Sequence, residues 1–319
     1  MLVMHRLLDP APELLRQACE FVEYPEGASL DEESIRKAAE GCAGILTQLM
    51  DRIGDHVLSL PGLKIVANCA VGYDNIDVAA ASRRGVMVTN TPGILDETTA
   101  DFAFALMISA ARRVVQADRF VREGRFQGWA IDMLLGRDLH DATLGIVGIG
   151  RIGREVARRA HGFQMRVLYA DERPLGEEQE RELKVTRVEL PELLAQADFV
   201  TLHVPLTETT RHLIGTDQLK LMKRSAVLVN TSRGPVVHER ALAEALEQGW
   251  IMAAGLDVYE HEPVVDERLL RLENVVLAPH IASASVKTRS EMSAVAARNL
   301  IAGIQGNRPA NLVNADVFA

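Results

Sequence analysis

Three residues in the last third of the chain have the types and placement for acid–base chemistry on an anionic substrate: Arg233, Glu262 and His280. Arg233 stands in Val229-Asn230-Thr231-Ser232-Arg233-Gly234, Glu262 follows Asp257-Val258-Tyr259-Glu260-His261, and His280 ends Leu277-Ala278-Pro279-His280. Each comes just after a short apolar run of the kind that forms a buried strand, and ligand residues of doubly wound sheets collect at strand ends. A guanidinium offers the bidentate grip that a carboxylate takes. An imidazole exchanges a proton near neutral pH, and a neighbouring carboxylate favours its protonated form. Hydride transfer to the carbonyl of a 2-keto acid needs that set: a cation for the acid group, a proton donor at the carbonyl oxygen, and a group that tunes the donor.

The hydride would need a carrier, and a second motif provides for one. Leu144-Gly145-Ile146-Val147 runs into Gly148-Ile149-Gly150-Arg151-Ile152-Gly153 and then into a helical pattern over 154–161. In a strand–turn–helix context G-x-G-x-x-G is the pyrophosphate loop of a dinucleotide site. Gly148 permits the tight turn, Gly150 lets backbone approach the phosphates, and Gly153 allows close packing of a helix whose N-terminus faces the anion. Asp171 ends the next strand, eighteen positions after Gly153, near the spacing of about 20 for an acid that binds the adenosine ribose. With Glu172 it would repel a 2′-phosphate, whereas Arg173 could attract one. The expectation is NAD(H) in preference to NADP(H).

The elements that must position these groups follow from the apolar pattern. Short runs at 143–147, 166–169, 199–203, 226–230, 253–256 and 275–277 alternate with helical periodicity, the mark of βαβ units and a parallel sheet. Runs at 42–46, 64–68 and 86–89, with amphipathic stretches at 30–40 and 78–84, form a smaller α/β unit. Between the two, 96–125 reads as one long linking helix, with Pro92 before it and Gly124 at its end. The helical pattern at 285–303 follows the last strand of the larger unit and is expected to return to the first. The expected fold class is therefore α/β: a doubly wound parallel-sheet (Rossmann) cofactor domain at 96–284, inserted into a smaller flavodoxin-like α/β substrate domain formed by 1–95 and 285–319.

Bulk properties exclude several other functions. The chain has 319 residues and a net charge of -9 with no Lys/Arg block, so a phosphate-backbone surface for nucleic acid is not indicated. No apolar run reaches the roughly 18 residues of a membrane span, and the first nine residues lack the apolar core of a secretory signal, so a soluble cytoplasmic protein is expected. Three cysteines, Cys19, Cys42 and Cys69, lie far apart without a CxxC, which fits reduced thiols better than a disulfide framework or a zinc site. No histidine–carboxylate set has metal-ligand spacing, and no metal is expected. His203 reads as structural, and His212, His238 and His261 carry no motif.

Taken together, these motifs resemble the D-isomer-specific 2-hydroxyacid dehydrogenase family across essentially the whole length. The likeness is carried by 70–77, Asn90-Thr91-Pro92-Gly93, Gly148 to Gly153, His203-Val204-Pro205-Leu206-Thr207, Asn230 to Gly234, Gly255-Leu256-Asp257-Val258, Glu262-Pro263 and Pro279-His280-Ile281-Ala282-Ser283. The resemblance implies that Arg233 pairs with the substrate carboxylate and carbonyl, that His280 is the acid/base, and that Glu262 hydrogen-bonds the imidazole. It also implies that the backbone of Val71 and Gly72, on the small domain, meets the substrate carboxylate across a cleft. Cofactor contacts carried over by motif fall on Thr99, Arg151, Ile152, Val204, Pro205, Thr231 and Asp257, the last near the nicotinamide amide. Members of the family usually dimerise through the cofactor domain, where Trp129 would pack against a partner.

Within the family, the wording of 135–153 and 280–283 is similar to that of glyoxylate and hydroxypyruvate reductases, which are D-glycerate dehydrogenases. The length leaves no room for the regulatory domain of many phosphoglycerate dehydrogenases, and Ala70-Val71-Gly72 lacks the lysine of phosphite dehydrogenases. The expectation is an NAD-dependent reductase of glyoxylate or hydroxypyruvate, with D-3-phosphoglycerate or D-lactate oxidation as the alternative enzyme. A dehydrogenase-like corepressor, sensing NADH as a scaffold, is the alternative of another class. Such scaffolds usually carry disordered tails, and here Met1 and Ala319 lie within a residue or two of the expected fold. Cys69-Ala70 before Val71, and His238 where an acidic residue is common, depart from the family pattern and bear on substrate choice.

Overall fold

A computed structural model describes residues 1–318 as two units, Asp96–Ser283 and a smaller one made of Met1–Leu95 with the stretch from Ala284 onward. In the larger unit seven strands form one all-parallel sheet: β6 (Thr143–Val147), β7 (Arg166–Ala170), β8 (Val185–Arg187), β9 (Phe199–Leu202), β10 (Val227–Asn230), β11 (Ala253–Leu256) and β12 (Val275–Leu277). Their order is β12-β11-β10-β9-β6-β7-β8, so the winding reverses between β6 and β9, the switch point of a doubly wound sheet. Alternate residues of a strand point to opposite faces. Val227 and Val229 join Leu144, Ile146, Tyr169, Phe104, Met107 and Val156 in one core cluster, while Leu228 joins Leu168, Leu202, Leu256, Leu193 and Leu242 in another. Both faces are covered, and for that reason the strands read as continuous apolar runs.

The smaller unit has five parallel strands, β1 (Leu2–Val3), β2 (Val22–Glu23), β3 (Gly44–Thr47), β4 (Ile65–Asn68) and β5 (Met87–Thr89), in the flavodoxin-like order β2-β1-β3-β4-β5. Helix Val286–Ile304 packs Ala296, Ala297 and Leu300 with Val3, Leu46, Ile65 and Met87 in one core cluster of this unit. Ser285 starts that helix by accepting the Thr288 amide at 3.1 Å.

Three strands escaped the apolar pattern. β1 and β2 are two residues long, and β8 is an edge strand with only Val185 buried. The long linking helix is instead two helices, Asp96–Ala111 and Val114–Arg122, parted at Arg113 with φ 55°. The first lays eight buried side chains against the sheet and then loses its ladder, because the Ala111 carbonyl takes the Arg137 amide at 3.0 Å. Gly136 fits against that carbonyl, which would lie 2.3 Å from any Cβ. The second helix buries nothing.

Candidate active site

β6 delivers the chain to Gly148, whose φ of 95° favours glycine. A Cβ there would sit 2.7 Å from the His203 carbonyl, and one on Gly153 would sit 2.2 Å from the Gly148 oxygen, so loop, helix and β9 touch backbone to backbone. Gly150 is the opposite case. Apart from its two chain neighbours, no heavy atom of the described residues lies within 4 Å of its would-be Cβ, which leaves open space beside the start of helix Arg151–Ala160. A helix start presents unpaired amides and a positive dipole end, so this space suits a diphosphate. Asp171 is fixed beside it, accepting the Ile149 amide at 2.8 Å and the Arg173 amide at 2.7 Å.

The other expected cofactor contacts lie as follows. Val204 and Pro205 follow β9, and Thr231 follows β10 with a buried Oγ1 that has no hydrogen-bond partner among the described residues. Ile152 is half-buried in the first turn of its helix, where Arg151 is exposed and lies 4.0 Å from Asp96. Thr99 is buried in the first turn of Asp96–Ala111. Loop, Val204-Pro205 and Thr231 thus share the edge of the sheet at the C-terminal ends of β6, β9 and β10.

β10 and β11 set the acid–base groups. Asn230 staples the turn after β10: its Nδ2 donates to the Arg233 carbonyl at 2.9 Å, and its Oδ1 accepts from the Ser232 amide and hydroxyl. Gly234 then presses on the next loop, since a Cβ would meet the Tyr259 carbonyl oxygen at 1.8 Å. Asp257, fully buried at the end of β11, accepts the Ile281 and Ala282 amides with its two oxygens, both at 2.7 Å, while its carbonyl accepts the His280 amide at 2.9 Å. These three bonds hold His280 at φ 54°. Glu262 turns back into the site: Oε1 accepts the Tyr259 amide at 3.0 Å and Oε2 lies 2.9 Å from His280 Nδ1. In the smaller unit, Val71 and Gly72 follow β4 with both carbonyls turned inward, to Asn90 Nδ2 and Asn68 Nδ2 at 2.8 Å each.

The family profile "D-isomer specific 2-hydroxyacid dehydrogenase, NAD binding domain" matches residues 104–282. A glyoxylate reductase of Korarchaeum cryptofilum (strain OPF8) is 56% identical over 297 residues, 92% of this chain and 89% of the relative. The chain belongs to the D-isomer specific 2-hydroxyacid dehydrogenases. Among solved structures, this dehydrogenase is similar to a glyoxylate reductase from Paecilomyes thermophila, with a TM-score of 0.87, 35% identity, and 98% and 97% of the two chains covered. It is also similar to an NADPH-dependent glyoxylate/hydroxypyruvate reductase from Sinorhizobium meliloti in complex with NADP and malonate, with a TM-score of 0.87, 34% identity, and 99% and 96% covered. It is thus an oxidoreductase with a nicotinamide-binding domain.

At the acid–base end of this dehydrogenase the surroundings favour an ionised Glu262. Burial alone pushes the Glu262 carboxyl up, but the hydrogen bond and charge of His280, the Tyr259 amide and the Arg233 charge outweigh it and hold Glu262 below the usual carboxylate range. An ionised Glu262 accepts from a protonated Nδ1 of His280. Asp257 differs. Burial raises its carboxyl despite the two amides it accepts and the charge of His280. Burial pushes the His203 imidazole down to about 3, so it is neutral, with Nε2 2.9 Å from Thr201 Oγ1.

Sequence reasoning missed the residues that hold the loops. Asn230, Tyr259, Glu239 and Glu260 stood inside or beside quoted motifs, but their spacing carries no signal of a bond to a backbone amide. His212, set aside for want of a motif, lies 2.6 Å from Glu260. Among the described residues no cluster of His, Cys, Asp or Glu could hold a metal ion, and no helix is long and apolar enough to cross a membrane.

Proposed function

We propose that this dehydrogenase reduces glyoxylate and hydroxypyruvate with NADH, giving glycolate and D-glycerate. The observation that carries the reading is the 2.9 Å contact of His280 Nδ1 with Glu262, on the strand end next to the one that bears Arg233. The reductase names of its relatives support the substrate class.

In this reading Arg233 binds the substrate carboxylate and polarises the carbonyl. His280 gives the carbonyl oxygen a proton from Nε2, and Glu262 stabilises the imidazolium before transfer. Asp257 fixes the backbone on both sides of His280. Bound NADH supplies the hydride. Gly148, Gly150, Gly153 and Arg151 would hold its diphosphate, Asp171 its adenosine ribose, and Thr99, Ile152, Val204, Pro205 and Thr231 the remainder. Residues 96–283 act as the cofactor domain and the smaller unit as the substrate domain.

Asp171, held by two amides with its charge beside the loop, supports NAD(H) over NADP(H), although the Sinorhizobium meliloti enzyme uses NADPH. A homodimer is supported by apolar side chains exposed on the larger unit: Phe126 at 54%, Trp129 at 80%, Ile131 at 78% and Leu135 at 66%. Three free cysteines support a cytoplasmic setting.

The test is oxidation of NADH and NADPH, side by side, with glyoxylate, hydroxypyruvate, pyruvate and 3-phosphohydroxypyruvate. Turnover of the first two with NADH is expected, falling by about 10²–10⁴ in His280→Ala. Asp171→Ser should narrow the NADH preference roughly tenfold or more, the worth of one charge-assisted hydrogen bond. Tight NADH binding without turnover of any acid would replace the enzyme with an NADH-sensing scaffold.

A further inference from the structure

Behind Glu262 lies a second set of ionisable side chains that none of these roles uses. Glu239 opens helix Glu239–Glu247, and Glu260 precedes Glu262 by two residues. The two exchange bonds. Glu239 Oε2 accepts the Glu260 amide at 2.7 Å, and Glu260 Oε2 accepts the Glu239 amide at 3.0 Å. The other oxygen of Glu239 accepts the Asp266 amide at 2.7 Å, so one carboxylate grips the chain on both sides of Glu262. Glu260 Oε1 lies 2.6 Å from His212 Nε2, and the His212 amide is tied to the Pro235 carbonyl at 2.7 Å. His238 completes the set, with its ring 4.7 Å from that of His212 and its Nδ1 accepting the Ala241 amide at 3.2 Å.

We propose that Glu239, with Glu260 and His212, is a positioning residue that sets the 260–266 loop at the place where Glu262 meets His280. The inference rests on the reading of Glu262 and His280 as the acid–base pair.

The loop's own apolar anchors are few: Val264 is 67% exposed, Val265 is only partly buried against the core, and Tyr259, at the loop's start, is its buried aromatic anchor. A carboxylate accepting two amides is stronger and more directional than apolar contact. Two facing carboxylates would repel, but here each is met by the other's amide, Glu239 lies in the first turn of a helix, and His212 faces Glu260. Burial pushes the Glu260 carboxyl up, yet the Glu239 amide with His212 and His238 brings it below its ordinary value. The charged groups bearing on Glu262 itself are His280 and Arg233, with Asp257 next to His280.

Glu239→Gln separates positioning from mere support, because a glutamine accepts with one atom and sets its NH2 against the second amide. The expected result is a fall in kcat of about tenfold, as for a small misplacement of a reacting group, with KM for NADH unchanged. The alkaline limb of the kcat–pH profile for reduction should also move down by roughly half to one unit, because a loosened Glu262 favours the protonated imidazole less. Glu260→Gln still accepts the Glu239 amide and can donate to His212, so it should show the same shifts at smaller size, and it decides the matter if Glu239→Gln does not fold. An unchanged pH limb in both variants, with or without loss of kcat, overturns the proposal. Glu262→Gln run alongside locates the failure: if its own limb stays in place, the acid–base reading falls and this inference with it, whereas if only its limb moves, the positioning role alone is wrong.

Discussion

The glycine loop and the acid–base loops stand at the same edge of one sheet and are built on opposite principles. From Gly148 to Gly153 the site is made by side chains left out, so that backbone meets backbone at Gly153 and no other described segment crowds Gly150. From Asn230 to Ala282 it is made by side chains that capture backbone: Asn230 and Glu262 bond main-chain groups of their own turns, and Glu239, Asp257 and Glu260 those of another segment. A binding surface for a large flat anion needs room. A proton donor needs an address fixed to a few tenths of an ångström, which only directional bonds supply.

The largest expected effect comes from importing a side chain where the two principles meet. Gly234→Ala places a methyl 1.8 Å from the Tyr259 carbonyl oxygen and must drive the 233–234 turn from the 259–262 loop. Turnover should fall by about a hundredfold or more while NADH affinity, read by fluorescence titration, stays within about threefold. Equal loss of both would mean that the two regions are not separable. Next comes a pair within the glycine loop. Gly150→Ala meets nothing among the described residues within 4 Å and should leave thermal stability unchanged, yet weaken NADH about tenfold if the space is the diphosphate's. Gly153→Ala meets the Gly148 oxygen at 2.2 Å and should weaken NADH and also destabilise the fold, by about 1–3 kcal/mol of overpacking. NADH binding unaltered in Gly150→Ala would remove the diphosphate from that space.

A further comparison is acid stability, where the regions part by pH. His203, behind Gly148, is held down to about 3 when folded against 6.5 when free, so its contribution is full above pH 6.5 and drains as pH falls toward 3. Glu262, held below its ordinary 4.5, contributes above that value and loses its contribution only as pH falls further. Denaturant melts between pH 7 and 4 should therefore lose part of their slope between 6.5 and 4.5 in His203→Gln, and only below about 4.5 in Glu262→Gln. The same slope change in both variants would contradict the assignment.

The contrast also explains what was legible in the sequence. Strands buried on both faces declare themselves as apolar runs, which is why 143–147 and 253–256 are strands where the pattern put them. The edge strand β8, with Thr186 and Arg187 exposed, has no such run. The break at Arg113 was hidden because it depends on the distant Arg137 amide. A site built by omission writes itself in glycines at fixed spacing. A site built by capture does not, since Glu239, Glu260 and His212 find their amides and one another only after 205–266 has folded, and any one of them alone reads as a solvated polar residue.

One feature of the smaller unit sets an order of events during synthesis. Its β3 and β4 are closed on one side by Leu300 and Gly303, against which Gly44 and Ile65 pack with less than a Cβ to spare, more than two hundred residues apart in the chain. Every strand of the larger sheet has been made by Leu277. As the chain leaves the ribosome, the larger unit can thus complete its sheet while one face of the smaller sheet, covered until then in part, by Ala11 and Leu15 of helix Ala11–Ala18, waits for helix Val286–Ile304. The smaller unit can close its core only once the chain has passed Ile304, so part of its apolar surface stays uncovered for longer than that of the larger sheet.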